Sequence, residues 1–283
     1  MPEDFSFIQI TDHHLGPSAT SVRLGYAVNY TFTQTLQHLA QYAAPQADFL
    51  ISTGDLVDPP TPQGYAWLQN ELGAAPGSAA FPGPLSMRRP GLEGLPLYLM
   101  PGNHDDRRRM CEQFFPLSRP GGMLNASFEH KGVLFLCLDW GADSKARLYP
   151  ELYNCLDQGL RSGLPLVICM HHQVTSLNMR WMDAFIADEV NAFWEALCAP
   201  TTTARILGII AGHTHISYEK VEYGIPTWGL RSTSYTFHPI DTLAVRLANP
   251  QYRLFSIQNG VLTSRLFEVP LPLMDDTAVG EEI

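Results

Sequence analysis

"LPLYLMPGNHDD" (residues 95–106) joins an apolar run directly to a turn that carries an amide, an imidazole and two carboxylates. The apolar part is short, which reads as a buried strand, and Pro101 and Gly102 end it. Ending a strand explains neither Asn103 nor His104. The same junction recurs along the chain. "FSFIQI" (5–10) runs into Thr11, Asp12, His13 and His14, and "DFLIST" (48–53) into Gly54 and Asp55. "PLVICM" (165–170) runs into His171 and His172, and "RILGIIA" (205–211) into Gly212, His213, Thr214 and His215. A further run, "VLFLCLD" (133–139), has the same apolar character. Between the runs, residues 30–43, 65–72, 110–115 and 182–199 space their apolar residues as helices do. Alternation of this kind predicts an α/β fold around largely buried sheets. In open α/β sheets, ligands bind beyond the carboxyl ends of the strands. Five such ends here deliver Asp, His and Asn.

The 283 residues carry 18 Lys and Arg against 28 Asp and Glu, a formal charge of −10. That balance argues against binding a nucleic-acid polymer, which takes clustered cations. Hydrophobic residues make up 45% and charged residues 16%, a globular composition. The five cysteines are scattered without a Cys-x-x-Cys pair, as expected of a reduced, cytoplasmic protein. The opening "MPEDFSFIQITD" shows no basic segment followed by an apolar stretch, so no secretory leader is expected. No apolar run approaches the ~20 residues of a membrane span. One domain is expected over 1–270, with a Gly/Pro-rich loop insertion at 73–94 and an acidic C-terminal tail at 271–283.

Taken singly, the strand-end motifs are ordinary. Gly-Asp is a common turn, Asn103 could cap a helix, and two adjacent histidines could be a satisfied buried pair. Five at successive strand ends point instead to a binuclear metal centre. Imidazole and carboxylate suit Zn, Mn, Fe and Co, and a carboxylate can bridge two cations at the ~3.5–4 Å separation of two-metal hydrolases. Asn103 would add a carbonyl oxygen without charge. Two divalent ions bring +4 and Asp12 with Asp55 return −2, so the site keeps about +2, enough to hold an anion that the rest of the surface repels.

Asp12-x-His14, Gly54-Asp55, Gly102-Asn103-His104-Asp105, His171 and Gly212-His213-x-His215 stand in the order of the calcineurin-like metallophosphoesterases, which the chain resembles over most of residues 5–235. The resemblance implies a four-layer α-β-β-α sandwich of two mixed β-sheets flanked by helices. It implies Asp12, His14 and His215 as ligands of one metal, Asn103, His171 and His213 as ligands of the other, and Asp55 as the bridge. His171 rather than His172 follows from the resemblance alone. His104 would be the catalytic group beside the metals, with Asp105 orienting it.

Within that superfamily, "PGNHDDR" followed by a helix is similar to the class III cyclic nucleotide phosphodiesterases and related glycerophosphodiesterases, as is "STSYTFHP" (232–239). That branch usually follows its paired histidines with Pro, where this chain has Gln173. The expected activity is therefore metal-assisted hydrolysis of a small phosphodiester. 3′,5′-Cyclic AMP leads, a glycerophosphodiester is the alternative, and a non-catalytic metal-binding scaffold is the reading from another class. Arg107, Tyr235 and His238 are candidate substrate contacts, and homo-oligomerisation is an open expectation.

Overall fold

The computed structural model describes residues 2–75, 80–118 and 122–271. The predicted acidic tail therefore lies, apart from Leu271, outside the described residues, as do residues 76–79 of the insertion. Along the chain, the first half runs β1 (Phe5–Ile10), α1 (Val28–Tyr42), β2 (Phe49–Ser52), α2 (Pro62–Leu72), β3 (Leu85–Ser86), β4 (Pro96–Leu99), α3 (Arg107–Phe114), β5 (Ala126–His130) and β6 (Val133–Leu138). The second half runs α4 (Pro150–Leu160), β7 (Pro165–Met170), α5 (Arg180–Asp183), α6 (Val190–Cys198), β8 (Arg205–Ala211), β9 (Tyr218–Glu222), β10 (Ile225–Gly229), β11 (Thr236–Phe237), β12 (Val245–Arg246), β13 (Gln251–Gln258) and β14 (Val261–Glu268).

Strand periodicity sorts the apolar residues into layers. In β1, Phe5 and Phe7 face one way while Ile8 and Ile10 face the other, as the two-residue period of a strand requires. The phenylalanines meet the second sheet. Phe7 stacks on Phe49 and on Phe255 at 5.1 Å and meets Phe135 edge-on at 5.1 Å. Each such fully buried ring contributes about 1.5–3 kcal/mol over leaving it in water. The other face of β1 packs under α1, α2 and α3 through Phe32, Leu36, Tyr65, Leu68 and Phe114. On the far side, α4 and α6 cover the second sheet with Leu152, Leu156, Phe193 and Leu197. The result is the expected four-layer α-β-β-α sandwich.

Both sheets are mixed. The first has the order β14-β13-β1-β2-β4-β3, with β1, β2 and β4 parallel. The second has the order β5-β6-β7-β8-β10-β9, with β6, β7, β8 and β10 parallel. β11 and β12 form a separate two-stranded ribbon. No helix among the described residues is long and apolar enough to cross a membrane.

Three elements differ from expectation. Residues 182–199 were read as one helix but form α5 and α6 with a turn between them, in which Ala187 is buried. The Gly/Pro-rich stretch 73–94 includes β3, which pairs with β4 and buries Leu85. α4, which begins at Pro150, had no clear signal in the sequence. α3 begins where Asp106 accepts a hydrogen bond from the Arg109 N–H, a standard N-cap, so the capping residue is Asp106 and not Asn103.

Candidate metal centre

The carboxyl ends of β1, β2, β4, β7 and β8 converge, and the backbone there is held in an unusual state. Asp12, His14, Asp55, His213 and His215 have φ of 54°, 47°, 53°, 65° and 52°. Left-handed backbone costs a residue with a side chain about 1–3 kcal/mol, and such positions gather at functional sites. The chain also comes unusually close to itself. A Cβ on Gly102 would lie 2.2 Å from Asp55 Oδ1, and one on Gly212 would lie 2.2 Å from Thr11 Oγ1. These glycines let the carboxylates sit directly over the neighbouring strand end.

Seven predicted residues meet there in two groups. Asp12, His14, Asp55 and His215 form one and Asp55, His171 and His213 the other, with ligand atoms within 4.8 Å of one another in each. Asp55 belongs to both. In the first group His215 Nε2 lies 3.3 Å from Asp12 Oδ1, and His14 Nε2 lies 3.4 Å from Asp55 Oδ2. In the second, His171 Nε2 lies 3.3 Å from Asp55 Oδ2. Asn103 Oδ1 joins the second group, 3.1 Å from His171 Nε2 and 3.0 Å from His213 Nδ1.

The hydrogen-bond network decides which atoms carry protons. His171 Nδ1 donates to the Thr53 carbonyl at 2.8 Å, His215 Nδ1 to the Tyr235 carbonyl at 2.7 Å, and His14 Nδ1 to Asp58 Oδ2 at 3.2 Å. In its neutral form a ring held this way turns an unprotonated Nε2 inward. Burial lowers the His171 imidazole, but the charges of Asp55 and Asp12 outweigh it and raise it to about 9, a positive charge that a divalent cation would replace. His14 Nε2 and His215 Nε2 face one another at 3.1 Å, beside two carboxylates and an amide oxygen. Acceptors packed against acceptors repel unless cations lie among them, so the residues present fit a pair of divalent metals. The donor set is oxygen and nitrogen only, which suits Mn, Fe, Co and Zn. Burial raises the Asp55 carboxyl, but the imidazoles of His171, His14 and His104 outweigh it and hold Asp55 well below the usual carboxylate range. Burial lowers the His213 imidazole well below its usual value, with His172 and His171 adding to the effect, which keeps it neutral as a ligand must be.

The structure separates the adjacent histidines. His172 points away, its Nε2 3.0 Å from the Asp143 carbonyl, and His13 is turned onto the Ser52 and Thr233 hydroxyls. His104 lies at the rim, edge-on to His14 with ring centroids 4.9 Å apart. The carboxylate that holds it is not Asp105 as expected. His104 Nδ1 lies 2.9 Å from Asp58 Oδ2. Asp105 is buried and accepts instead from the N–H groups of Leu56, Val57 and Gly102 and from the Tyr65 hydroxyl, so it fastens the β2 and β4 ends together. Asp58 was missed, as was Arg23, whose guanidinium lies 2.5 Å from Asp58 Oδ2. A third possible metal group, His14, Asp58 and His104, is less apt because that oxygen already serves Arg23 and two imidazoles.

Arg107 was a candidate substrate contact, and its surroundings exclude that. All five of its N–H directions are used, on both oxygens of Asp139 and on the carbonyls of Gly102, Asp105 and Gly141. It ties the His104 turn to the end of β6 in the other sheet. Burial raises the Asp139 carboxyl, but Arg107 outweighs it and keeps the carboxyl below its usual value. The pair's stabilisation is therefore complete above the unfolded carboxyl pKa of about 3.9 and is lost as pH falls through the lower folded value. Breaking a buried pair by removing one partner costs about 3–5 kcal/mol. Asp139→Asn is expected to lower Tm by on the order of 10 °C at pH 7 and by less at pH 3, read by calorimetry.

His14, Asp55, Asn103, His104, His213 and His215 line one side of a cavity of about 140 Å³, smaller than the ~300–1,000 Å³ of drug-sized sites. Tyr235 also lines it, its hydroxyl 3.4 Å from His14 Nε2. His238 does not line it.

A family model described as calcineurin-like phosphoesterase matches residues 5–217. The chain is 25% identical over 276 residues to a 3′,5′-cyclic-nucleotide phosphodiesterase of Nostoc sp., covering 95% of this chain and 94% of that one. It is 24% identical over 236 residues to the 3′,5′-cyclic adenosine monophosphate phosphodiesterase of Haemophilus influenzae, covering 82% and 77%. Among solved structures, GAP50, the anchor in the inner membrane complex of Plasmodium, superposes with a TM-score of 0.50 at 10% identity, covering 96% and 90% of the two chains; that likeness concerns the fold alone. The match over residues 5–217 takes in every strand end that reaches the Asp55 cluster, and with it the chain belongs to the calcineurin-like phosphoesterase family, the metal-dependent hydrolases of phosphate esters.

Proposed function

We propose that the chain is a phosphodiesterase whose leading substrate is a 3′,5′-cyclic nucleotide, with a glycerophosphodiester as the second reading. The observation that carries it is the pair of ligand groups sharing Asp55 on one side of the cavity, with His104 at the rim. In this reading Asp12, His14 and His215 hold one divalent cation, Asn103, His171 and His213 the other, and Asp55 both. Cations bound there would supply charge neutralisation for the phosphate and would lower the pKa of a water enough for hydroxide to be available as the nucleophile near neutral pH. The residues do the rest. The Nδ1 donors on Thr53, Tyr235 and Asp58 keep three imidazoles aimed inward, and burial of the cluster excludes bulk water. His104 keeps Nδ1 on Asp58, leaving Nε2 to give a proton to the departing ester oxygen.

Relatives matched along most of their length, named as cyclic-nucleotide phosphodiesterases, support the diester. A purely scaffolding role is disfavoured, because all seven donors and His104 are present. The five cysteines are free, which accords with a cytoplasmic protein. The single domain is taken to run to about Pro270. The test is steady-state hydrolysis by the manganese-loaded protein of 3′,5′-cyclic AMP, glycerophosphoethanolamine, bis(p-nitrophenyl) phosphate and p-nitrophenyl phosphate. Cyclic AMP is expected to turn over with kcat/KM of at least ~10⁴ M⁻¹s⁻¹. Cleavage of the monoester alone would sink the reading.

A further inference from the structure

We propose that the apolar side of the same cavity, built from Trp181, Phe237, Phe185 and Leu243, is a subsite that takes the planar base of the ester by stacking. The inference rests on the phosphodiesterase reading and extends it to what the enzyme recognises beyond the phosphate.

The wall comes from two segments distant in sequence, α5 with the turn after it and the β11–β12 ribbon. They are fastened to each other. The Trp181 indole N–H donates to the Ile240 carbonyl at 2.8 Å, and the Arg180 N–H donates to Asp241 Oδ1 at 3.2 Å. Trp181 and Phe237 meet edge-to-face, with centroids 5.1 Å apart and an interplanar angle of 83°. The wall also adjoins the metal-ligand cluster. The Phe237 ring lies 4.8 Å from His215, and Phe185 lies edge-on to His213 at 5.6 Å.

Phe237 packs against the small buried cluster of Tyr26, Val28, Tyr235 and Val245, but the other two rings are not accounted for by the core. Trp181 and Phe185 stay half-buried and belong to none of the buried clusters among the described residues. Leu243 is 40% exposed. With the indole N–H committed to Ile240, Trp181 offers the cavity ring surface and no donor. A fixed, half-exposed aromatic surface beside a phosphate site suits a ligand that pairs an anion with a flat apolar ring, as a nucleotide does. A glycerol or ethanolamine group would gain little from it. Apart from the Tyr235 hydroxyl beside His14, Ser144 is the one hydroxyl side chain lining the cavity among the described residues. The wall therefore reads flatness more than the edge of a particular base, because discrimination needs buried polar partners.

The experiment compares wild type with Trp181→Ala on cyclic AMP, cyclic GMP and glycerophosphoethanolamine. The variant is expected to lose about 10- to 100-fold in kcat/KM on both cyclic nucleotides, mainly through KM, as loss of one stacked base does. Glycerophosphoethanolamine should change by less than about threefold. In the wild type cyclic AMP is expected to quench tryptophan fluorescence, and Trp181→Phe, which keeps a ring, is expected to retain most turnover while losing that quench. An equal loss on all three esters would make Trp181 a structural prop and overturn the subsite, as would unchanged kinetics on the nucleotides. If wild type cleaves glycerophosphoethanolamine and neither nucleotide, the substrate reading itself fails, and that is visible before any variant is made.

Discussion

Asp55→Asn is expected to leave the protein with at most one tightly held metal ion and to lower kcat/KM by at least about 10³-fold. The size of the effect follows from the position of one side chain. Asp55 is the residue common to both ligand groups, so its loss weakens two sites at once, whereas any single histidine weakens one. The charge argument points the same way. Two divalent ions against Asp12 and Asp55 leave about +2 in a buried site, and the amide leaves about +3, with the added charge unscreened. An amide keeps the shape and one oxygen, so the backbone N–H of His104, 2.9 Å from Asp55 Oδ1, retains an acceptor and the fold is expected to persist. The loss then comes from charge stabilisation of the phosphate, usually the largest single contribution to such catalysis. Metal content by mass spectrometry, together with turnover, checks it. Two ions per chain with activity within tenfold of wild type would remove Asp55 from the bridging position.

What the sequence revealed and what it concealed divide along contact distance. The strand ends were legible because a buried parallel strand is a short apolar run, and each cluster residue lies within a few positions of where its run stops. Local order suffices there: β1 delivers Asp12 and His14, and β8 delivers His213 and His215, whatever the rest of the chain does. Asp58 escaped notice because nothing in "GDLVDPP" marks it. Its importance lies in reaching His14, 44 residues away, and His104. Arg107 was read as a substrate contact for the same reason, since its main partner Asp139 is 32 residues away in the other sheet. Its sequence neighbours Arg108 and Arg109 are exposed, so adjacency in the sequence did not mark Arg107 as different. The break between α5 and α6 is a tertiary effect too. The apolar spacing of 182–199 is that of one helix, yet the chain leaves helix after Asp183. That turns Phe185 toward His213 and leaves Met182's carbonyl to accept from the buried Gln173 amide.

His104→Ala is expected to lower kcat by about 10²–10⁴-fold while both metals stay bound, the range for losing a positioned general acid. His104 touches the cluster through its backbone N–H and the edge of its ring, and its side chain is 36% exposed, so truncation opens the rim without removing a ligand. Burial lowers the His104 imidazole, but its hydrogen bond to Asp58, with the charges of Asp55 and Asp58, outweighs burial and raises it above the usual value. A proton donor at neutral pH needs that direction of shift. Asp58→Asn tests the support separately. It should cost about 10–100-fold, as loss of a partner behind a metal-site histidine does, and it also loosens His14, whose Nδ1 shares the same oxygen. The double variant decides how the two act. If Asp58 works by orienting and charging His104, then Asp58→Asn should add little once His104 is alanine, because residues acting as a unit are far from additive. A full multiplicative loss in the double variant would place the effect of Asp58 on His14 and the metal instead. Loss of a metal ion in His104→Ala alone would make that histidine a structural part of the cluster and leave the proton donor to be sought elsewhere in the cavity.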